Sequence, residues 1–574
     1  MSKIMNLRKI FSMSILSLFL LTACDLDEET YTFVSGDDVA EAGSYDQLVS
    51  GAYLTLLFPF EWGNYATIAN FDCDYQTGPT WAFGDIGAGN FYNSGSNDNF
   101  YQYYSQSVHR ANYHYYLVGK ITNAPEKAKK NAMGELRFLK AWSLFQLVQH
   151  FGPIPLFKTS ISEGESPEKP RSSVKEVYEH IIETLQEAET LLMPRTDPEF
   201  QKGHVCRGSA KALLAKVYAT IGSASMKSGK ITVKGGPGSK TNPDGTTSRL
   251  MPVAITHDKD LVAGYEDFDS QEYYRLAKEK AWEVIEDKEF ELANSQEELW
   301  SNAYKNGPEF EFCLQTINGI GTLYSNYVPV DFLGYANPVY NGEWSSGYYV
   351  QRDHWLQLFD DWDDDRITWG VMHRIPYSYH EDTGKMSYYF YPERDSVYVR
   401  KGENGYDPSD VVASGAHMYG SKLMKFSAVS TYPLDGNRAD FNWPYMRYAE
   451  TLLIYAEADN EVNNGPSDLA LQVVDELNKR NNSTLSSERN KKTPFTQETF
   501  RSYILEERAK EFAAEGIRRT DLIRWGIYLQ VMNAIGNTDE NGVVKRREQK
   551  HLLLPLPLNE VNSNPYIETN NPGW

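Results

Sequence analysis

Apolar residues recur at helical spacing near both ends of the chain and lose any sustained period in between. From Met133 to His150 a broad apolar face carries Leu136, Leu139, Ala141, Leu144, Phe145, Leu147 and Val148. This pattern predicts a well-buried helix, stopped by Gly152-Pro153. Ser172 or Ser173 reads as the N-cap of a second helix through Val177, Ile181, Ile182, Leu185 and Ala188, closed before Pro194. Arg207 to Thr220 repeats small and apolar residues, among them Ala210, Leu213, Leu214, Val217 and Tyr218. Further helices are expected over Gln271 to Ile285, Tyr445 to Glu461, Ser467 to Lys479 and Gln497 to Glu515. Phe58 to Asn99 and Asn318 to Pro444 are instead rich in aromatics, Gly, Asn and Asp without a period. Loops of that length in a compact body are usually functional or wrongly assigned. Ser225 to Asp260, rich in Gly, Ser, Thr and Lys, reads as a mobile insertion.

These elements give a mainly α fold. The paired helices, with small residues such as Ala210 and Ala215 at close-packing positions, resemble tetratricopeptide-type hairpins, whose stacking buries a shared core and leaves a curved outer surface. A loop-rich, partly irregular lobe completes the reading. One domain is expected over 24–574. It comprises an N-terminal helical half (24–222), a flexible insertion (223–270), the loop-rich lobe (271–444) and a C-terminal helical half (445–574).

The first 23 residues stand apart. Lys3, Arg8 and Lys9 precede an apolar run from Ile10 to Leu21, interrupted only by serines and too short for a comfortable membrane span. The run ends in Leu21-Thr22-Ala23-Cys24, which resembles a bacterial lipobox. Processing would leave Cys24 as an acylated N-terminus, since more than one acyl chain anchors a protein stably. The alternative is an ordinary secretory signal with an incidental cysteine. The acidic residues Asp25, Asp27, Glu28 and Glu29 then resemble a surface-export signal. Without residues 1–23, 53 Lys and Arg face 78 Asp and Glu, a formal charge of −25. That balance argues against nucleic acid, whose binding needs a basic face. Cys73, Cys206 and Cys313 are far apart without CxxC spacing, so they read as small buried residues rather than a disulfide scaffold or a zinc site, with a single disulfide among the three as the alternative.

Six blocks in order resemble the SusD/RagB family of outer-membrane nutrient-binding lipoproteins. They begin with Gly134-Glu135-Leu136-Arg137-Phe138-Leu139-Lys140-Ala141, running to Phe151-Gly152-Pro153-Ile154-Pro155, and with Ala210-Lys211-Ala212-Leu213-Leu214-Ala215. Arg447-Tyr448-Ala449-Glu450 with Tyr455-Ala456-Glu457-Ala458 follows, then Glu507-Arg508 through Glu515-Gly516-Ile517-Arg518 and Asp521-Leu522-Ile523-Arg524-Trp525-Gly526. The chain closes on Leu554-Pro555-Leu556-Pro557 and Asn571-Pro572-Gly573. The resemblance implies a tetratricopeptide-like scaffold, a TonB-dependent outer-membrane transporter (SusC-like) as partner, and glycan cargo, with peptide or protein cargo as the alternative. The charged residues Glu507, Arg508, Glu511, Glu515, Arg518, Arg519, Asp521 and Arg524 alternate in sign at helical spacing and are expected to pair as a structural lattice.

Sugars present apolar C–H faces rimmed by hydroxyls, so capture needs aromatic plates beside hydrogen-bonding groups. Both irregular stretches offer that mixture. The candidate ligand residues are Asp72, Trp81, Tyr92, Asn93 and Asn97 in the first, and Trp344 and Tyr348 in the second. Asp361, Asp363 and Asp365 resemble the start of an EF-hand loop, but the loop's Gly is missing and Met372 stands where its closing Glu belongs, so calcium is a minor reading. No GxSxG or HExxH motif occurs, and a non-catalytic protein is expected ahead of a secreted glycoside hydrolase.

Overall fold

The computed structural model describes residues 36–57, 68–92, 94–317, 349–392, 406–413, 420–426 and 441–574. Helices dominate. Those over Gly95–Lys120, Glu126–Phe151, Val174–Leu191, Arg207–Ser225 and Ser270–Asp287 pack each on the next. Ser270–Asp287 then packs on Tyr448–Asn463, which carries Asp468–Arg480 and Gln497–Glu511. This is the stacked-hairpin scaffold read from the sequence. Phe138, Phe145, Tyr178, Leu213, Leu214, Tyr274, Leu452 and Leu453 fill the shared core.

Local signals account for several helix ends. The Ser173 side chain accepts the Glu176 backbone N–H while Glu176 accepts the N–H of Ser173, a reciprocal cap that satisfies two otherwise orphaned donors. Ser467 and Asp269 cap their helices in the simpler way. The Tyr445 start does not hold, because Pro444–Arg447 is a strand paired antiparallel with Phe310–Cys313 and the helix begins at Tyr448. Gln497–Glu515 stops at Glu511, where the chain turns through Phe512 to Gly516. The largest omission is the 26-residue helix Gly95–Lys120, whose core face is built from Phe100, Tyr101, Tyr104, Val108 and Ala111.

The expected mobile insertion is strand-paired. Lys230–Gly235 and Val253–Asp258 pair antiparallel, with Ser239–Thr241 against Thr247–Arg249 beyond them. Ile231 and Val233 point inward at period two and are buried. The hairpin is tied to the Gln497–Glu511 helix, where Thr232 donates its N–H to Ser502 Oγ at 2.9 Å. It is also tied to the first irregular stretch, where Tyr75 Oη donates to the Lys234 carbonyl at 2.6 Å. All three described cysteines are free and buried.

Candidate functional site

The two irregular stretches, far apart in sequence, meet in space. Gln76–Thr77 pairs antiparallel with Val350–Gln351. The Arg352 N–H donates to the Tyr75 carbonyl at 2.7 Å, and Gln351 Nε2 donates to Gln76 Oε1 at 3.0 Å. Ring packing extends the seam. Phe71 stacks on Phe83 at 4.6 Å between centroids and lies 4.2 Å from Tyr349.

Immediately after this seam runs the short helix Thr80–Gly87. Phe83 and Ile86 face inward and are buried, whereas Trp81 is 67 % exposed. An indole left so largely in water is uncommon, because its large apolar face gains from burial. Tyr92, 39 % exposed, is held by its neighbour Phe91, which is buried and packs 5.9 Å from the ring of Trp574. The exposed carboxylate Asp85 follows Trp81 across a kink at Gly84 (φ 50°) and accepts from Asn90 Nδ2 at 3.1 Å.

Below this platform lies a buried polar frame. Asp72 is wholly buried. Its carboxylate accepts from Arg519 Nε at 2.9 Å, Arg547 Nε at 2.8 Å and Tyr528 Oη at 2.5 Å. Burial opposes its charge, but Arg547 and Arg519 outweigh that and hold the carboxyl at about 2. Asp74 pairs with Arg518 at 2.7 Å, and Lys545 Nζ donates to the carbonyls of Cys73 and Gln76. Arg352 bridges Glu540 at 2.8 Å and the Asp74 carbonyl at 2.9 Å. Asn97, also buried, donates from Nδ2 to the Pro555 carbonyl at 3.0 Å. Asp72 and Asn97 thus turn into the protein as supports, while Trp81 and Tyr92 turn out. Asn93, Trp344, Tyr348 and Cys24 fall outside the described residues.

A second exposed aromatic group escaped the sequence reading. Tyr377 and Tyr389 sit across the hairpin formed by Arg374–His380 and Lys385–Phe390, with ring centroids 4.4 Å apart and Tyr377 52 % exposed. The signal available was the alternation of Ile375, Tyr377 and Tyr379 with Pro376 and Ser378 in the sequence, although of the first three only Ile375 is buried.

The charged residues of the family-like blocks pair with one another. Arg508 bonds Glu450 at 2.8 Å and Asp521 at 2.7 Å, and Arg524 bonds Asp521 at 2.9 Å and Glu457 at 2.5 Å. Arg447 reaches Glu309, Glu511 and Glu515 within 3.0 Å. These groups are buried, and the lattice fastens three helices together as expected. The EF-hand-like aspartates are engaged within the protein: Asp361 accepts from Thr484 and from the Asp363 N–H, Asp365 accepts from Thr368, and the intervening Asp364 holds Arg366. Among the described residues no group of three acidic, His or Cys side chains could hold a metal ion.

Comparison with known proteins agrees with this architecture. The family model described as SusD family matches residues 295–574, and one described as starch-binding associating with outer membrane matches residues 82–219. SusD-like protein P2 of Formosa agariphila is 24 % identical over 462 residues, spanning 79 % of this chain and 76 % of that protein. A SusD homolog from Bacteroides thetaiotaomicron superposes with a TM-score of 0.72 at 20 % identity, covering 95 % of this chain and 100 % of its own. Surface glycan-binding protein A from Bacteroides fluxus does so with a TM-score of 0.66 at 19 % identity, covering 93 % and 99 %. With family models matching both helical halves, relatives that share most of its length, and the mainly helical fold in common, the chain belongs to the SusD/RagB family.

Proposed function

We propose that this protein is a cell-surface lipoprotein that captures glycans and passes them to a TonB-dependent outer-membrane transporter. The observation that carries the reading is Trp81: an indole 67 % exposed, fixed on a short helix beside the seam of the two aromatic-rich stretches. Such an exposed ring offers a plate for the C–H face of a sugar, with Tyr92 as a further ring and Asp85 as an acceptor for hydroxyls. The buried frame around Asp72, Asp74 and Arg352 keeps the platform in place before ligand arrives, which lowers the ordering cost of binding. Kinship to a surface glycan-binding protein and to a family model described as starch-binding associating with outer membrane supports the same reading. Cys24 would carry the acyl anchor. Asn93, Trp344 and Tyr348 remain proposed partners in the site.

Native affinity gels cast with a panel of polysaccharides test the proposal. Retardation by at least one of them, with no reducing ends released on prolonged incubation, is expected. Sustained release of reducing ends by pure protein would make it a hydrolase, and indifference to every polysaccharide would favour peptide cargo. Co-purification of a TonB-dependent transporter with the tagged, membrane-extracted protein tests the delivery step.

A further inference from the structure

On the helical scaffold a cavity of about 270 Å3 opens between the helix Tyr45–Leu54, the helix Glu126–Phe151 and the chain from Met193 to His204. Its walls include two rings, Tyr45 and Phe200, over an apolar floor of Val49, Ala132 and Met193. One corner is built and buried. The Glu135 carboxylate accepts from Tyr53 Oη at 2.8 Å, Asn131 Nδ2 at 2.8 Å and His204 Nδ1 at 2.7 Å. Asn131 is fixed in turn by the Met193 N–H at 2.9 Å, and the Tyr53 ring meets His204 edge-on at 5.3 Å. Since the carboxylate holds Nδ1, the imidazole keeps its proton there, and Nε2 has no partner among the described residues. At the rim stand two exposed carboxylates: Glu199, paired with Lys127 at 3.2 Å, and Asp46, which makes no ion pair among the described residues.

We propose that this cavity is a second binding site, for a hydroxylated small molecule bearing a protonated amine, of the size of one amino-sugar unit. The rings would cover one ligand face, Asp46 would take the ammonium by a charge-assisted hydrogen bond, and His204 Nε2 would meet a hydroxyl. The volume sits just below the usual range of ligand pockets, about 300–1,000 Å3, which suits one sugar ring rather than a chain. Burial disfavours the His204 imidazolium, but the hydrogen bond and charge of Glu135, aided by Asp46, raise its pKa overall, so Nε2 is available as a donor at mildly acidic pH.

Titration calorimetry of the full chain with D-glucosamine, with D-glucose and N-acetyl-D-glucosamine as uncharged controls, tests the site. Saturable glucosamine binding is expected, about tenfold or more tighter than either control, as one charge-assisted hydrogen bond implies. Asp46→Asn, an exposed substitution, should weaken it by a similar factor with an unchanged circular dichroism spectrum, while Trp81→Ala should leave it intact. Equal affinity for the three sugars, no saturation with glucosamine, or indifference to Asp46→Asn would each overturn the proposal. Loss of glucosamine binding in Trp81→Ala would place the amine on the aromatic platform and overturn it as well. Because the Trp81 platform is probed separately with polysaccharides, failure of one site leaves the other standing.

Discussion

At the scale of single residues, exposure and burial divide the candidates for ligand binding. Trp81 and Asp72 are nine positions apart, yet one is largely in water and the other wholly enclosed. Trp81→Ala removes an apolar face without opening a cavity. We expect it to weaken polysaccharide retardation by roughly tenfold to a hundredfold, the equivalent of about 1–3 kcal/mol of lost ring contact, with melting temperature unchanged. Unchanged mobility of the variant in the gel would remove Trp81 from the site. Glu311 poses a different problem. It is buried, accepts from Thr451 Oγ1 at 2.6 Å, and burial pushes its carboxyl up to about 8. Below the ordinary glutamate value, near 4.5, the folded and unfolded chains both keep this proton. Between that value and about 8 only the folded chain keeps it, so stability declines as pH rises through the window. Glu311→Gln retains an acceptor for Thr451 and carries no titrating proton. Its melting temperature relative to the parent protein should climb steadily from pH 5 to pH 8; a constant difference would show that Glu311 is ionised in the fold.

At the scale of elements, what the sequence reveals depends on how local the cause is. The N-cap is local, and a serine cap at Ser172 or Ser173 was visible although its reciprocal partner Glu176 was not; the run of apolar positions under Leu136 to Val148 was visible too. Tyr445 and Met446 looked like the start of a helix because a short apolar run does not declare its period. Their strand is imposed by Phe310–Cys313, more than a hundred residues away. Gly95–Lys120 was hidden because its inward face mixes Phe100, Tyr101 and Tyr104 with the polar residues Asn97, Ser107 and Asn112, which blurs the apolar period. Trp81 was legible as a ring among polar residues. The buried role of Asp72 was not, since Arg519 and Arg547 approach it from 447 and 475 positions along the chain. Gly526 shows why one family-like motif ends as it does. It closes the helix Arg518–Arg524 at a φ of 64°, and a Cβ there would lie 2.0 Å from the Asp260 carbonyl at the foot of the hairpin. Gly526→Ala would force helix and hairpin apart while straining the backbone. A loss of about 2 kcal/mol or more is expected in urea unfolding; a loss below about 0.5 kcal/mol would mean the hairpin foot yields freely.

At the scale of the whole molecule, a chain of net charge −22 encloses a dense set of paired charges, and acid acts on these two populations in opposite directions. Surface carboxylates repel one another, so their first protonation relieves strain on the fold. Asp72 and Asp521 behave otherwise. Burial works against both, yet Arg547 and Arg519 hold the first, and Arg508 and Arg524 the second, at about 2. Their folded values lie below the ordinary 3.8, so their stabilisation is present in full above that value and is lost as pH falls toward 2. The expected curve is therefore flat or slightly rising as pH falls from 6 to 4, then steeply downward between about 4 and 2. Once protonated, Asp72 leaves Arg519 and Arg547 buried with no other carboxylate partner among the described residues, and breaking a buried pair in that way costs about 3–5 kcal/mol, whereas Arg508 and Arg524 keep Glu450 and Glu457 when Asp521 is protonated. Salt distinguishes the causes, because it screens exposed charges and barely reaches buried ones. Thermal melts at pH 3 in low and high sodium chloride should agree within a few degrees, and Asp72→Asn should flatten the acid limb while lowering stability at pH 7. An acid limb that disappears in salt would assign the transition to the surface instead of to the buried pairs around Asp72 and Asp521.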